Sequence, residues 1–311
     1  MREVARFWAK HHPADVERVS VGEAVERFLA HKTTVGISVA HEKTLRKHLV
    51  PFRASFGETD LREVSKDAVL AWLLGLRNGG ASERTVQNHH SSVSNFFSWC
   101  KRRGLVVESA TAVVAVDDLP VVPRKPRGVF SVDECAALMG WVEEHAPRFA
   151  AWFAVQLFGG IRNAEAGRLR WGENFDFTQR VIVMRGWRIV DGEARRVVKT
   201  GDDWVLHGLP ENLWAWLRKY RGMDGMAVTA PGNRALSVIR SALRGLSPPV
   251  VWVHDALRHT FCTMMISQYS DAARVANWSR HANARQLYDS YVAALVTPAE
   301  AKRFCEIMPK G

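Results

Sequence analysis

Gly159-Gly160-Ile161-Arg162-Asn163-Ala164-Glu165-Ala166-Gly167-Arg168-Leu169-Arg170-Trp171 is the segment from which the rest of the chain can be ordered. It begins inside the longest apolar run, Phe149 to Ile161, 13 residues bracketed by Arg148 and Arg162. A bilayer needs about 20 apolar residues, so this run predicts a buried core helix instead. The paired glycines allow a tight turn and a close approach of backbone to a ligand. Arg162 then stands at the edge of the core. Taken alone it is a surface arginine capping the apolar helix. Glu165 three residues on, with Leu169 and Trp171 anchoring a helix behind it, suggests that Arg162 is held for a purpose.

Upstream of this segment the pattern is helical throughout. Ser20-Val-Gly-Glu23 has the form of a capping box, followed by Val21, Ala24, Val25, Phe28 and Leu29 at helical spacing. A second helix is expected from about Val39 to Phe52, with Leu45 and Leu49 inward. A third follows Ser65 with a stripe of Val69, Leu70, Leu73 and Leu76, and a fourth runs from Ser82 to a stop at Gly104. Four short amphipathic helices make an all-α module. Between Ala115 and Gly128 three prolines and a basic run predict an extended linker. Ser131-Val-Asp-Glu134 is a second capping box, where helices resume.

Downstream the composition changes. Val181–Met184, Arg188–Val190, Arg196–Val198 and Trp204–Leu206 are short β-like runs separated by turn signals at Asp191-Gly192 and Thr200-Gly201-Asp202. They predict one small antiparallel sheet. Helices return from about Glu211.

The whole chain has 311 residues, 47% hydrophobic and 24% charged, enough for two domains with real cores and unlike a disordered or fibrous sequence. Lys and Arg number 43 against 32 Asp and Glu, a net charge of +11. Residues 1–120 hold 17 basic and 14 acidic side chains, and residues 121–311 hold 26 and 18, so the net is +3 and +8 respectively. Such an excess points to a polyanion, nucleic acid before an acidic membrane. The four cysteines, Cys100, Cys135, Cys262 and Cys305, form no CxxC pair. That argues against a zinc ribbon or disulfide framework and fits a reducing cytoplasm. The N-terminus has no apolar signal-peptide core, so a cytoplasmic, non-membrane protein is expected. No P-loop, GxGxxG, HExxH or GxSxG occurs.

Five separated motifs remain: Gly159–Trp171, Val197-Val198-Lys199-Thr200, Leu257-Arg258-His259-Thr260-Phe261, Arg280-His281 and Tyr291. Each alone is a weak signal. In this order, after a four-helix module, they resemble the tyrosine recombinase (phage integrase) family over roughly residues 20–305. The resemblance implies a mainly α fold with a small antiparallel β-sheet. An N-terminal four-helix core-binding (SAM-like) domain would precede an α+β catalytic domain. The expected boundaries are an extension at 1–19, the helical domain at 20–114, a linker at 115–130 and the catalytic domain at 131–311.

The family's chemistry assigns each residue a task. A tyrosine hydroxyl attacks a DNA phosphodiester, forming a 3′-phosphotyrosyl link and releasing a 5′-hydroxyl, with no metal, ATP or other cofactor. Protein cations must then offset the charge on the pentacoordinate transition state. Arg162 and Arg258 match the two clamping arginines, since a guanidinium stays ionised and can fork across phosphate oxygens. Glu165 braces an arginine or the fold. Lys199, which by itself is a solvated turn lysine, matches the general acid for the departing 5′-oxygen. His281 matches the phosphate-donor position, although Trp278-Ser279-Arg280-His281 lacks the family's glycine; Trp278 is a second donor candidate with a stronger reading as core.

Two positions depart from the pattern. The family's histidine three residues before the second arginine is here Asp255, and His254 lies one residue further off, rotated by about 100° on a helix. Asp255 suits a helix N-cap, while His254 in the preceding turn could still reach the site. His259 fits both a family histidine and a buried structural one. The four tyrosines are Tyr220, Tyr269, Tyr288 and Tyr291. The usual spacing after His281 falls between Tyr288 and Tyr291. Tyr291 is favoured because the following Thr297-Pro298-Ala299-Glu300 caps a terminal helix of the kind found after the nucleophile.

Double-stranded DNA is the expected partner, gripped in the N-terminal module by Lys43, Arg46, Lys47, Arg84, Lys101, Arg102 and Arg103. As a charge run these residues also describe an ordinary solvated face. The resemblance further implies a C-shaped clamp around duplex, a homotetramer on DNA and association with the nucleoid. Two other functions fit the same residues: a catalytically impaired DNA-binding protein of this fold, and a type IB topoisomerase-like relaxase.

Overall fold

The structure, a computed structural model, describes residues 18–107, 118–122, 128–190, 193–196, 203–253, 255–280 and 296–311. The chain divides into two compact units, 1–125 and 126–311.

The first unit contains α1 (Val21–Thr34), α2 (Val39–Phe56), α3 (Lys66–Asn78) and α4 (Glu83–Arg102). Each begins behind a serine: the hydroxyls of Ser20, Ser38, Ser65 and Ser82 accept from the backbone amides of Glu23, His41, Ala68 and Thr85 at 3.1–3.3 Å. Each such cap is worth about 1 kcal/mol. At Ser20 only half of the expected box forms. The Glu23 carboxylate turns outward to Arg27, 2.6 Å away, because an ion pair one helical turn along competes for it. The Ser20 segment is held instead by a short antiparallel bridge, with Leu61 N–H donating to Val19 and Val21 N–H donating to Thr59.

The apolar faces of the four helices meet in one core. Phe28, Leu49, Phe52, Val69, Leu73, Val86, Val93 and Phe96 have no measurable exposure. Phe52 meets Trp72, Phe96 and Phe97 edge to face with ring centroids 5.1, 6.3 and 6.0 Å apart. Such pairs add about 0.5–1.5 kcal/mol each beyond the area they bury. Leu70 and Leu76 of the anticipated α3 stripe pack at its margin, partly buried.

The second unit is built on α5 (Val132–His145), with the full capping box of Ser131 and Glu134 in place, and on α6 (Ala150–Leu157), every residue of which is buried. A single 3-10 turn, Pro147–Phe149, leads into α6. Around them lie α7 (Asn163–Ala166), α8 (Glu211–Lys219), α9 (Asn233–Leu243), α10 (Ala256–Tyr269), α11 (Ala272–Ser279) and α12 (Pro298–Cys305). Thr297 and Glu300 form the capping box of α12, with Pro298 at its first position. The end of the chain is strapped to the body by side chains that bind its backbone. Asn212 Nδ2 donates to the Phe304 carbonyl and Trp216 Nε1 to that of Ile307, both at 2.9 Å. Glu143 accepts from Lys310 N–H at 3.0 Å and from Tyr220 Oη at 2.8 Å. No helix is long and apolar enough to cross a membrane among the described residues.

The β region differs from the single sheet expected. β1 (Phe175–Asp176), β2 (Val181–Met184) and β5 (Trp204–His207) make a three-stranded antiparallel sheet in the order β1-β2-β5. β3 (Trp187–Val190) and β4 (Glu193–Arg196) form a separate two-stranded ladder. Val190 pairs with Glu193, so the return strand starts in the polar Glu193–Arg196 stretch rather than in the apolar residues after it. The strand begins three residues before the expected apolar run, of which Val197 and Val198 lie outside the described residues. The two-residue strand β1 was too short to show a period.

The helix expected behind Arg162 is a single turn. Gly167 ends α7, and Leu169 to Trp171 run extended against residues 225–228: Trp171 N–H donates to Met226 O and Val228 N–H to Leu169 O, at 3.0 and 2.7 Å. Leu169 and Trp171 are nevertheless buried, as their type required.

Candidate active site

The turn after α6 sets the geometry. Gly160 has φ +64°, and a Cβ built there would lie 2.3 Å from Phe261 Cδ1. Only glycine fits both the left-handed backbone and the packed ring. That close approach brings the Gly160 carbonyl to α10, where Arg258 Nη1 donates to it at 2.6 Å. Arg258 Nη2 donates to the Ser279 carbonyl at the end of α11. Only 6% of Arg258 is exposed, so its guanidinium is fixed by the carbonyls of two separate turns.

Arg162 is positioned by the neighbouring atoms of the same two turns. Its Nη2 donates to the Arg280 carbonyl at 3.0 Å, and its Nη1 lies 3.5 Å from Glu165 Oε1. The side chain is 42% exposed, against 6% for Arg258 as a whole residue. Consecutive carbonyls, Ser279 and Arg280, thus receive the two arginines. They lie at a helix C-terminus, where the partial negative charge of unsatisfied carbonyls favours cations. Glu165 also meets Arg280 Nη1 at 3.4 Å, so one carboxylate serves two arginines.

The sheet adjoins this cluster. Trp204 Nε1 donates to Asn277 O at 3.1 Å and Trp278 Nε1 to His207 O at 2.7 Å, tying β5 to α11 across both indoles. Trp278 is 3% exposed, a core residue whose donor is already engaged by a backbone carbonyl. Thr260, next to His259 on α10, accepts from Phe130 N–H at 2.8 Å and so anchors the helix to the start of the unit.

Asp255 occupies the N-cap position of α10 without capping it. Its backbone is left-handed, φ 57° and ψ 15°, and its side chain makes no cap hydrogen bond. Side-chain capping needs an extended backbone at that residue, so the expected role fails for a conformational reason. The Asp255 carbonyl instead accepts from His259 N–H at 2.9 Å. His259 is half-buried.

The structure therefore brings together Arg162, Glu165 and Arg258, with Asp255 and His259 on the same helix as Arg258. Lys199, His254, His281, Tyr288 and Tyr291 lie outside the described residues. Arg280 belongs to one of the five motifs, but the sequence pattern assigned it no task. Its signal was the loss of glycine before His281. Among the described residues no group of three or more His, Cys, Asp or Glu side chains is arranged to hold a metal ion.

In the first unit Lys43, Arg46, Lys47, Arg84, Lys101, Arg102 and Arg103 are all exposed. Arg46 pairs with Glu42 at 3.0 Å, and the Arg103 guanidinium lies 5.8 Å from the centroid of the Trp99 ring. Lys101 and Arg102 close the last turn of α4, where they also favour the helix dipole.

No protein-family model matches the chain. It is 26% identical over 285 residues to tyrosine recombinase XerC of Rhodospirillum centenum, covering 84% of this chain and 80% of that protein. The XerC of Xanthomonas axonopodis pv. citri is 25% identical over 218 residues, 66% of each chain. Among solved structures, the Tn1549 transposon integrase in complex with a circular intermediate DNA aligns with a TM-score of 0.71 at 15% identity, over 92% of this chain and 99% of that one. A lambda integrase dimer bound to a COC′ core site aligns with a TM-score of 0.67 at 15% identity, over 96% and 83%. The fold is that of a DNA integrase: mainly helical, with a small three-stranded antiparallel sheet. The chain is thus similar in sequence to tyrosine recombinases and shares its fold with integrases.

Proposed function

We propose that the chain is a tyrosine site-specific recombinase that cuts and rejoins double-stranded DNA of a mobile element. The observation that carries this reading is the pair Arg162 and Arg258, fixed by successive carbonyls of one helix end. Two oriented guanidinium groups suit a phosphorane whose charge must be met by protein cations. The Tyr291 hydroxyl, with Tyr288 as the other candidate, releases its proton to solvent and forms a bond to phosphorus as the bond to the 5′-oxygen breaks. Lys199 gives that oxygen its proton, and His281 donates to a non-bridging oxygen. The reverse attack by a 5′-hydroxyl reseals the strand, so the energy of the phosphodiester is kept without ATP or metal. Four protomers would act on two duplexes.

The test uses a duplex selected by the protein from a random-sequence library, nicked so that the cleaved strand diffuses away, with EDTA present. The expected result is a covalent protein–DNA adduct in wild type that is lost in Tyr291→Phe. Absence of any adduct from a tightly bound duplex would favour a DNA-binding protein without catalysis. An adduct that survives Tyr291→Phe but not Tyr288→Phe would reassign the nucleophile. Relaxation of supercoils without site preference would favour the topoisomerase-like reading.

A further inference from the structure

Arg280 ends α11 in the left-handed region, φ 51° and ψ 46°. That position at a helix C-terminus selects glycine or asparagine, because a Cβ is disfavoured there. A long cationic side chain is an unusual occupant, and it is not left in solvent. It is 12% exposed, its Nη1 is 3.4 Å from Glu165 Oε1, and its guanidinium carbon is 5.7 Å from the centroid of the Trp204 ring. The backbone of the same residue receives Arg162 Nη2 at 3.0 Å. Arg162 Nη1 in turn lies 3.5 Å from the Glu165 oxygen that Arg280 uses.

We infer that Arg280 is a positioning residue for Arg162, holding it by a backbone carbonyl on one side and through the shared Glu165 carboxylate on the other. This rests on the reading of Arg162 as a phosphate-clamping arginine. The left-handed turn aims the carbonyl, and the guanidinium, braced on Trp204, keeps Glu165 from swinging out of reach of Arg162. Charge has a second effect. One carboxylate divided between two arginines neutralises neither fully, so Arg162 retains more attraction for a phosphate than it would in a private ion pair.

Arg280→Gly separates this role from helix capping, because glycine keeps the turn and the carbonyl while removing the guanidinium. A residue needed only for the cap should lose nothing, or gain stability. The inference expects a 10- to 100-fold slower single-turnover cleavage of the selected, nicked duplex, with binding changed less than threefold. Arg280→Lys should recover part of the loss, since an ammonium pairs with Glu165 but cannot stack and fork alike. Adding Arg280→Gly to Arg162→Ala should cost little more. A neutral methylphosphonate at the scissile position should shrink the penalties of Arg280→Gly and Arg162→Ala in parallel. If Arg162→Ala abolishes cleavage and Arg280→Gly cleaves at the wild-type rate, the inference falls while the clamp stands. If Arg162→Ala cleaves normally, the clamp itself falls. NMR order parameters of the Arg162 side chain in the DNA-free protein provide a readout without catalysis: they should drop in Arg280→Gly, and unchanged values would overturn the inference.

Discussion

In the first unit Lys43, Lys47, Arg84, Lys101 and Arg102, the cations proposed to meet DNA, stand exposed on α2 and α4, whose opposite faces bury Leu49, Phe52 and Phe96. In the second unit the arginines lie at the rim of the core: Arg258 is buried and bound to the Gly160 and Ser279 carbonyls, and Arg162 is held by Glu165 and the Arg280 carbonyl. The contrast is between cations exposed to solvent and cations fixed by carbonyls and a carboxylate. A mobile, hydrated lysine meets any phosphate within reach, which suits register-tolerant, salt-sensitive grip. A guanidinium with an enforced orientation costs stability elsewhere but gives up no further entropy when the transition state forms.

Breaking the fixed set should show the largest effect. Arg258→Ala removes a buried cation and leaves two carbonyls without that donor, so adduct formation should fall by at least about 100-fold, the scale for removing one transition-state donor. The second unit should also lose about 1–3 kcal/mol in a denaturant titration. Arg162→Ala, at the more exposed position, should match it in rate and leave stability nearly intact. A stable Arg258→Ala or a strongly destabilised Arg162→Ala would reverse this order.

Gly160→Ala comes next, because its Cβ would press on Phe261 in a turn that disfavours any side chain. Overpacking of this kind costs about 1–3 kcal/mol, which thermal unfolding of the second unit would register. Gly36→Ala, also left-handed at φ +73° but with nothing within 4 Å of its Cβ, should cost less. Equal losses would mean that backbone strain rather than packing governs the 160 turn.

The free set should behave differently. Replacing Lys101, Arg102 and Arg103 with alanine should weaken DNA binding and flatten its salt dependence by about 0.9 logarithmic units for each phosphate no longer neutralised. Cleavage of saturated duplex should stay close to wild type. A slope that does not change would mean that this face does not meet DNA.

The smallest effect separates the units by pH. Burial, with His89 and Lys47 nearby, lowers the pKa of His48 from 6.5, and burial lowers that of His89 against the opposing bond to the His48 carbonyl. The rings lie 4.6 Å apart, and His48 Nδ1 is 2.8 Å from Ser92 Oγ. Because the folded state holds fewer protons, their contribution to stability is complete above about pH 6.5 and is lost as pH falls through the lowered folded values. In the second unit, burial works to raise the Glu143 pKa, but the bonds from Lys310, Lys219 and Tyr220 outweigh it and the net shift is downward. Its contribution is complete above the ordinary 4.5 and lost as pH falls through its lowered folded value. Acidification from pH 7 to 5 should therefore raise amide exchange in α2 and α4 before it does so around Glu143 and Lys310. Simultaneous loosening would contradict this.

Much of this molecule was legible before folding. The four helices of the first unit follow from apolar spacing and, for three of them, from the serines at 20, 65 and 82, because capping and amphipathicity act over one or two turns; the cap at Ser38 was shown by the structure. The burial of Leu169 and Trp171 was also legible, but not the extended path that achieves it, because their partners, residues 225–228, are distant in sequence. The start of the return strand at Glu193 was missed for a similar reason: pairing register, not hydrophobicity, places it. Gly160 announced a tight turn, whereas the ring that forbids any other residue, Phe261, comes from another helix.

What the sequence by itself determined is the inventory: the helices of the first unit, and that Arg162 and Arg258 are candidates for one chemistry. Tertiary structure alone decided that Asp255 does not cap its helix, that Trp278 commits its donor to His207, and that Arg280 shares Glu165 with Arg162. Local signals are carried by neighbours in the chain and survive reading in one dimension. The orientation of a guanidinium depends on carbonyls and carboxylates from three turns, and these become neighbours only when the core that joins them is packed.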